Sequence, residues 1–360
     1  MTLKDYPGLD ETIKRFDAWF ACEVHDRPPV TMPAIWREMT VPMPAKTWRD
    51  AREERLDVEF RIELFEARLP FMRFIGDSYP VFNHSVGADL VATLFGAGLA
   101  FNERSVWAVH NLENIRDVLS REPHFGNPYW QATRRMTELS LERSEGRWLT
   151  PMAYIDPGGD SLVALRGPQK LCLDLVDDLE GVRLACEHVS GFYPAIYDDL
   201  HARIRAAGQP TPVGGEGVTG YGRIDRLGCD LLALISAPMA EAAVYPSLQA
   251  RMRWLDRGYF HLDSPGSLQH LDMLLGQEEL GGVQFVYGAG RGPAARWIDV
   301  YRRIQAAGKC LELLPESTAD ALAVMEHLKP EGVWFKFYPG VPEEEAHWFV
   351  RQVAEPGNWA

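Results

Sequence analysis

The chain has 360 residues, a formal net charge of −14, 46% apolar residues and 24% charged residues. That composition belongs to a soluble globular protein long enough to bury a core without staples, and its acidity argues against a nucleic-acid surface or an anionic membrane as partner. Five cysteines (Cys22, Cys172, Cys186, Cys229, Cys310) form no C-x-x-C pair and are odd in number; with a polar start and no long apolar run, they predict a cytoplasmic protein with reduced thiols, no signal peptide and no membrane span.

Residues 1–27 read as an N-terminal extension, an irregular lead-in followed by a helix on Ile13, Phe16 and Trp19. Val30 to Ile35 is the first predicted strand, and 47–69 a helix on Trp48, Leu56, Phe60 and Leu64. Tyr79 to Asn83 is the second strand. An insertion follows it, with a Gly-rich apolar stretch at 87–101 and a helix at 128–144. Pro151 to Ile155 is the third strand, ending in Asp156-Pro-Gly-Gly-Asp160, and helices follow at 168–179 and 181–207. Cys229 to Ile235 is the fourth strand, Gly258 to Asp263 the fifth, Gly282 to Tyr287 the sixth, Lys309 to Leu314 the seventh and Val333 to Tyr338 the eighth. Helices at 246–257, 293–307, 317–328 and 342–353 alternate with them. Strand–helix alternation with short connections means parallel strands. Eight strands predict an α/β fold, a single-domain (β/α)₈ TIM barrel over 1–360.

The fifth strand carries the strongest functional signal. Side chains alternate faces along a strand, so His261 and Asp263 point the same way at its C-terminal end, where barrels build their sites. An imidazole beside a carboxylate can bind a metal, move a proton or grip a polar ligand. Ser264 and Pro265 then read as the N-cap and first turn of a helix. His270 and Asp272 repeat the letters on that helix. There, two residues of separation is about 200° of rotation, so the repeat makes no second site. Asp156 and Asp160 can orient a substrate or work as an acid–base pair, against the alternative of plain turn chemistry. Arg166 can meet an anion as a fork, or serve packing. Asp230 beside a buried strand needs a partner. Cys229 is a soft metal ligand or an inert core thiol.

Gly215-Glu-Gly217-Val-Thr-Gly220 matches a dinucleotide fingerprint by letter, but no strand precedes it. It reads instead as a loop over the barrel mouth that brings Glu216 toward the pocket. Tyr287, just before a second Gly-rich loop, is a further substrate contact.

Asp160-Ser-Leu-Val-Ala-Leu-Arg-Gly-Pro168, Tyr259-Phe-His-Leu-Asp-Ser-Pro-Gly266, Val283-Gln-Phe-Val-Tyr-Gly-Ala-Gly290 and Tyr301-Arg-Arg-Ile-Gln-Ala-Ala-Gly-Lys309 together resemble the uroporphyrinogen decarboxylase superfamily. The likeness spans roughly residues 75–340, in a branch near the corrinoid- and folate-linked methyltransferases. It implies a (β/α)₈ barrel with its pocket at the C-terminal end of the strands. The decarboxylases' Arg-rich signature corresponds here to Met32–Thr40, with Arg37 as its one arginine. The zinc methyltransferases use His-x-Cys in the fifth strand. Here His261 matches the His, Asp263 stands for the Cys, and the eighth strand offers Lys336 and Tyr338 with no Cys. A zinc or other divalent-metal site is then expected on His261 and Asp263, completed by Asp230, Cys229 or Glu216.

Three functions follow as expectations. The first is transfer of a one-carbon unit from a small methylated substrate to a corrinoid or tetrahydrofolate carrier, with a corrinoid protein as partner. There, His261 and Asp263 hold metal or substrate, Asp156 and Asp160 orient it, and Arg166 meets an acidic group. The second is a decarboxylase or other lyase, with Arg166 or Arg37 on the substrate carboxylate. The third is a non-catalytic small-molecule-binding barrel. A homodimer is compatible with each.

Overall fold

The computed structural model describes residues 3–4, 6–213, 217–338 and 340–360. Its centre is a parallel sheet of six strands: β1 (Val30–Thr31), β2 (Ile224–Gly228), β3 (Arg257–Asp263), β4 (Gly282–Val286), β5 (Cys310–Leu313) and β6 (Val333–Lys336). They run in the order β1-β6-β5-β4-β3-β2. Helices Leu271–Leu275, Ile298–Ala306 and Thr318–Met325 connect β3 through β6, and Glu343–Ala354 follows β6. Apolar side chains of one strand face pack on these helices. Phe335 and Phe337, for example, meet Phe349 edge-on at 5.5 and 5.2 Å.

The Leu9–Phe20 helix closes the N-terminal end of the sheet. Its Phe16 and Trp19 are fully buried in a cluster with Ile224, Tyr259, Cys310 and Trp334, all near strand starts. The Trp19 indole N–H donates to the Leu311 carbonyl at 3.2 Å. With that end plugged, a ligand has to enter from the C-terminal end.

The expected second and third strands are extended segments outside the ladder. They join by one parallel bridge, Val81 to Leu149. Asp77 N–H donates to the Val30 carbonyl at 2.7 Å, and Gly228 N–H to Asp156 Oδ1 at 2.9 Å, so these segments lie against β1 and β2. Pro80 and Pro151 each remove a ladder donor there. The architecture is compatible with a (β/α)₈ barrel, while the continuous ladder among the described residues ends at six strands.

The fourth strand lies earlier than expected. It is Ile224–Gly228, and Asp230–Leu234 is a 3₁₀ turn. The apolar run Leu231–Ile235 imitates a buried strand, but Leu231 and Leu232 are buried while Leu234 is exposed. The true strand was hidden by Asp225 and Arg226, polar residues inside a parallel strand. Ser264 also departs from expectation. It has φ +69° and no side-chain cap, and Ser267 Oγ instead donates to the Asp263 carbonyl. The expected insertion holds an antiparallel hairpin, Gly98–Phe101 with Val106–Val109, and the helix Pro128–Ser144. No helix among the described residues is long and apolar enough to cross a membrane.

Candidate functional site

Parallel register aligns one row of inward side chains across the sheet. Gly228 pairs with His261, His261 with Gln284, and Gln284 with Glu312. Lys336 lies two residues beyond Trp334, the partner of Glu312, and so on the same face. The side chains join in that order. His261 Nδ1 bonds to Gln284 Oε1, and Gln284 Nε2 donates to Glu312 Oε1 at 2.5 Å. Lys336 Nζ lies 3.7 Å from the same Glu312 oxygen.

This chain of contacts fixes a tautomer by donor–acceptor logic. The Glu312 oxygen shared by an ammonium and an amide accepts from both, since each of those nitrogens only donates. The Gln284 amide must therefore turn its NH₂ to Glu312 and its carbonyl to His261. His261 must in turn carry its proton on Nδ1, which leaves Nε2 as the ring's proton acceptor.

His261 lines a cavity of about 460 Å³ at the C-terminal end of the sheet, with Asp156, Asp160, Asp230, Arg226 and Tyr154 among its walls. The Asp156-Pro-Gly-Gly-Asp160 turn builds one wall. Gly158 has φ +107°, and a Cβ on Gly159 would come 2.7 Å from Cys229 Sγ, so both glycines are required. Asp156 is buried and ion-paired with Arg251. That guanidinium also donates to the carbonyls of Pro157 and Ile155 at 3.0 and 3.1 Å. Asp156 Oδ2 has no partner among the described residues. A Cβ on Gly228 would meet the Tyr154 hydroxyl at 2.7 Å and Asp156 Oδ2 at 3.1 Å, so that glycine lets both polar groups crowd the cavity.

Asp160 accepts the backbone N–H groups of Asp230 and Leu231 at 2.9 and 3.1 Å. Burial, then the charges of Asp230 and Asp156, push its carboxyl up to about 7. Burial also raises Asp230; His261 opposes that rise, while Asp263 and Asp156 add to it. The Tyr154 phenol is pushed well up by burial and by Asp156 and Asp160. The cavity lining thus includes both a carboxylic acid poised near neutrality and an imidazole, groups suited to moving protons.

The structure brings His261, Asp156, Asp160 and Asp230 together at this cavity. Asp263 is half-buried at the end of β3, beyond the lining. The other expected contacts lie elsewhere. The Arg166 fork is filled by Asp174, at 2.7 and 3.0 Å, and by the Leu112 and Glu113 carbonyls, so it is a helix-terminus clamp. The Tyr287 hydroxyl donates to the Leu314 carbonyl at 2.6 Å, and its ring stacks on Trp297. Arg37 is exposed next to a short antiparallel strand pair and lines no part of the cavity. Cys229 is 4% exposed behind Gly159, and burial, reinforced by Asp160, pushes its thiol well up. Glu216 lies outside the described residues. His270 is structural, bonding the Leu232 and Ile235 carbonyls.

Among the described residues no three His, Cys, Asp or Glu side chains converge on a point where a metal ion could sit. With Cys229 sealed in the core, the donors among the described residues do not assemble the zinc site that the resemblance implies.

Tyr154, Arg226, Gln284, Glu312 and Lys336 went unnoticed as a set in the sequence. A signal was present. His261, Gln284, Glu312 and Lys336 are each a single polar residue between two apolar ones in a strand, the first three at matching depth.

No protein-family profile matches the chain, and no curated protein matches it. Among solved structures it is similar to a methyltransferase from Methanosarcina mazei, with a TM-score of 0.60 at 12% identity over 95% of this chain and 98% of that one. A likeness of that extent at that identity shows a shared fold over nearly the whole of both chains.

Proposed function

We propose that this chain is a methyltransferase-like enzyme. It takes a one-carbon unit from a small methylated substrate held at the C-terminal end of the sheet and passes it to a corrinoid or folate carrier. The observation that carries this reading is the pairing of Asp160 and His261 in one cavity. The full-length fold likeness to a methyltransferase supports it.

The step needs no donor outside the cavity. The carbon–heteroatom bond of the substrate breaks with its electron pair on the heteroatom, which takes the Asp160 proton. The methyl group goes to the acceptor's electron pair. Where that acceptor carries a proton, His261 Nε2 receives it. Burial, then the charges of Asp230 and Asp156, raise the Asp160 carboxyl to about 7, and Arg251 holds Asp156 in place.

The test uses ¹³C-methyl-labelled amines, ethers and thioethers with cob(I)alamin or tetrahydrofolate, and mass spectrometry of the carrier. Labelled carrier is expected in wild type, with the rate lowered about 100-fold or more in Asp160→Asn. The reading is refuted by unlabelled carrier across the panel, or by a rate that both Asp160→Asn and His261→Ala leave unchanged. Elemental analysis belongs beside it. About one equivalent of a transition metal, lost in His261→Ala, would restore a metal-centred mechanism. A carboxy-lyase would use the same acid to protonate a carbanion, and labelled CO₂ release from small carboxylic acids identifies that outcome.

A further inference from the structure

Behind the main cavity lies a second chamber of about 170 Å³. The two share Ser85, Tyr154 and Arg226 as a common wall. The inner chamber has apolar sides, including Val81 and Met152, the Asp225 carboxyl, and two polar groups that no described residue satisfies. Arg226 Nε is buried without a hydrogen-bond partner among the described residues, and so is His84 Nε2. His84 is 2% exposed, and burial and the charge of Arg61 push its pKa down to about 3, so the ring is neutral.

Arg226 is half-buried and differs from the fully buried arginines here. Arg251 is ion-paired with Asp156, and Arg27 with Asp77. The Arg226 guanidinium makes no ion pair among the described residues. Its carbon lies 5.7 Å from the centre of the Tyr154 ring. Of the acids around it, Glu312 bonds Gln284 and Lys336 through Oε1 alone, its Oε2 having no hydrogen-bond partner among the described residues, and Asp225 accepts from the Tyr193 hydroxyl at 2.5 Å. A guanidinium whose buried Nε–H has no hydrogen-bonded partner is costly, and a ligand that completes it is one reason to keep it.

We infer that the inner chamber receives a carboxylate, so that the substrate of the main cavity is a small methylated carboxylic acid anchored on Arg226 and His84. This deepens the reading of that cavity as the substrate site and rests on it. A planar carboxylate suits one guanidinium fork, and the neutral imidazole adds one N–H donor. A phosphate dianion would need more positive charge than Arg226 provides with Asp225, Asp230 and Glu312 nearby. The shared wall places the anchored end in the inner chamber and the methylated end beside Asp160 and His261.

The test reads binding alone. Sodium acetate is compared with sodium chloride at equal ionic strength by thermal shift. Methoxyacetate is compared with 2-methoxyethanol by calorimetry, a pair that differs at the carboxylate. Wild type is expected to gain about 3 °C near saturation with acetate. It should bind the acid about 10- to 100-fold tighter than the alcohol. In Arg226→Gln that ratio falls to about one while alcohol binding is unchanged, and Arg226→Lys, which keeps the charge but not the fork, lies between. The unliganded Arg226→Gln protein melts at or above the wild-type temperature, because an unsatisfied cation has been removed. Acetate acting no differently from chloride means that water alone fills the chamber, and overturns the inference. So does an acid preference that survives Arg226→Gln. A variant that melts several degrees lower or does not fold also overturns it, since Arg226 would then have a structural partner. Carboxylate preference with no methyl transfer to any carrier counts against the proposed function and leaves this inference standing.

Discussion

Replacing Arg251 by Met removes the cation that holds Asp156 in the cavity wall. Both side chains are almost wholly buried, at 1% and 3% exposure. The variant loses the ion pair, the bonds to the Pro157 and Ile155 carbonyls, and the packing of the guanidinium 4.9 Å from the Tyr193 ring centre. Met fills most of the volume, so the cavity penalty is small and the cost comes from an uncompensated carboxylate. Breaking one side of a buried pair costs about 3–5 kcal/mol. Unfolding entropy for 360 residues is about 0.8 kcal/mol/K, so the melting temperature should fall by about 4–6 °C. Scanning calorimetry of Arg251→Met, Asp156→Asn and the double variant measures this. The double variant should lose less than the sum of the singles by about 1–3 kcal/mol, because removing both partners leaves no stranded charge. A single-variant loss below about 1 kcal/mol, or strict additivity, would refute the argument that Arg251 is there to hold Asp156.

Asp160 gives a pH prediction with a definite sign. Its carboxyl is raised from 3.8 to about 7, and the proposed step uses the protonated form, so kcat/KM should fall as pH rises through about 7. The folded state holds this proton more tightly than the unfolded chain, so its stabilising effect is greatest at acid pH and is lost as pH rises through about 7. Asp225 is raised in the same direction, so the assignment is read from the difference between wild type and Asp160→Asn in urea midpoints across that range. A pH slope that Asp160→Asn leaves unaltered refutes it. Gln284→Leu should release His261 from its single tautomer, seen as mixed ring ¹⁵N signals, and cost about 1–3 kcal/mol by stripping a donor from buried Glu312; an unchanged Nδ1–H signal would count against the relay. Gly159→Ala should cost about 1–3 kcal/mol through its contact with Cys229 Sγ, and Cys229→Ala should recover part of that; equal melting of Gly159→Ala and wild type would show that the turn can shift.

The sequence by itself determined the rhythm of the second half, β3 to β6 with their helices. Each of those strands is a short apolar run bounded by turn residues and followed closely by a helical pattern, which together favour a strand. It also placed His261 on a strand and the Asp156–Asp160 turn after an extended segment, because period-two alternation and Pro-Gly-Gly chemistry act over a few neighbours. It misplaced the fourth strand, since an apolar run such as Leu231–Ile235 satisfies a strand or a packed turn equally until its neighbours are known. Tertiary structure alone decided which polar groups meet. Arg166 and Arg226 are alike as letters, but Asp174 lies eight residues from the first and fills its fork, whereas the second is left in a cavity wall with no ion-pair partner among the described residues. Gln284 and Glu312 become a relay to His261 because parallel register aligns them at one depth, with Lys336 one step further along the same face, and register is a property of four strands together. Burial, which sets the Asp160 carboxyl near neutrality and seals Cys229 in the core, is likewise a sum over groups brought together by the fold.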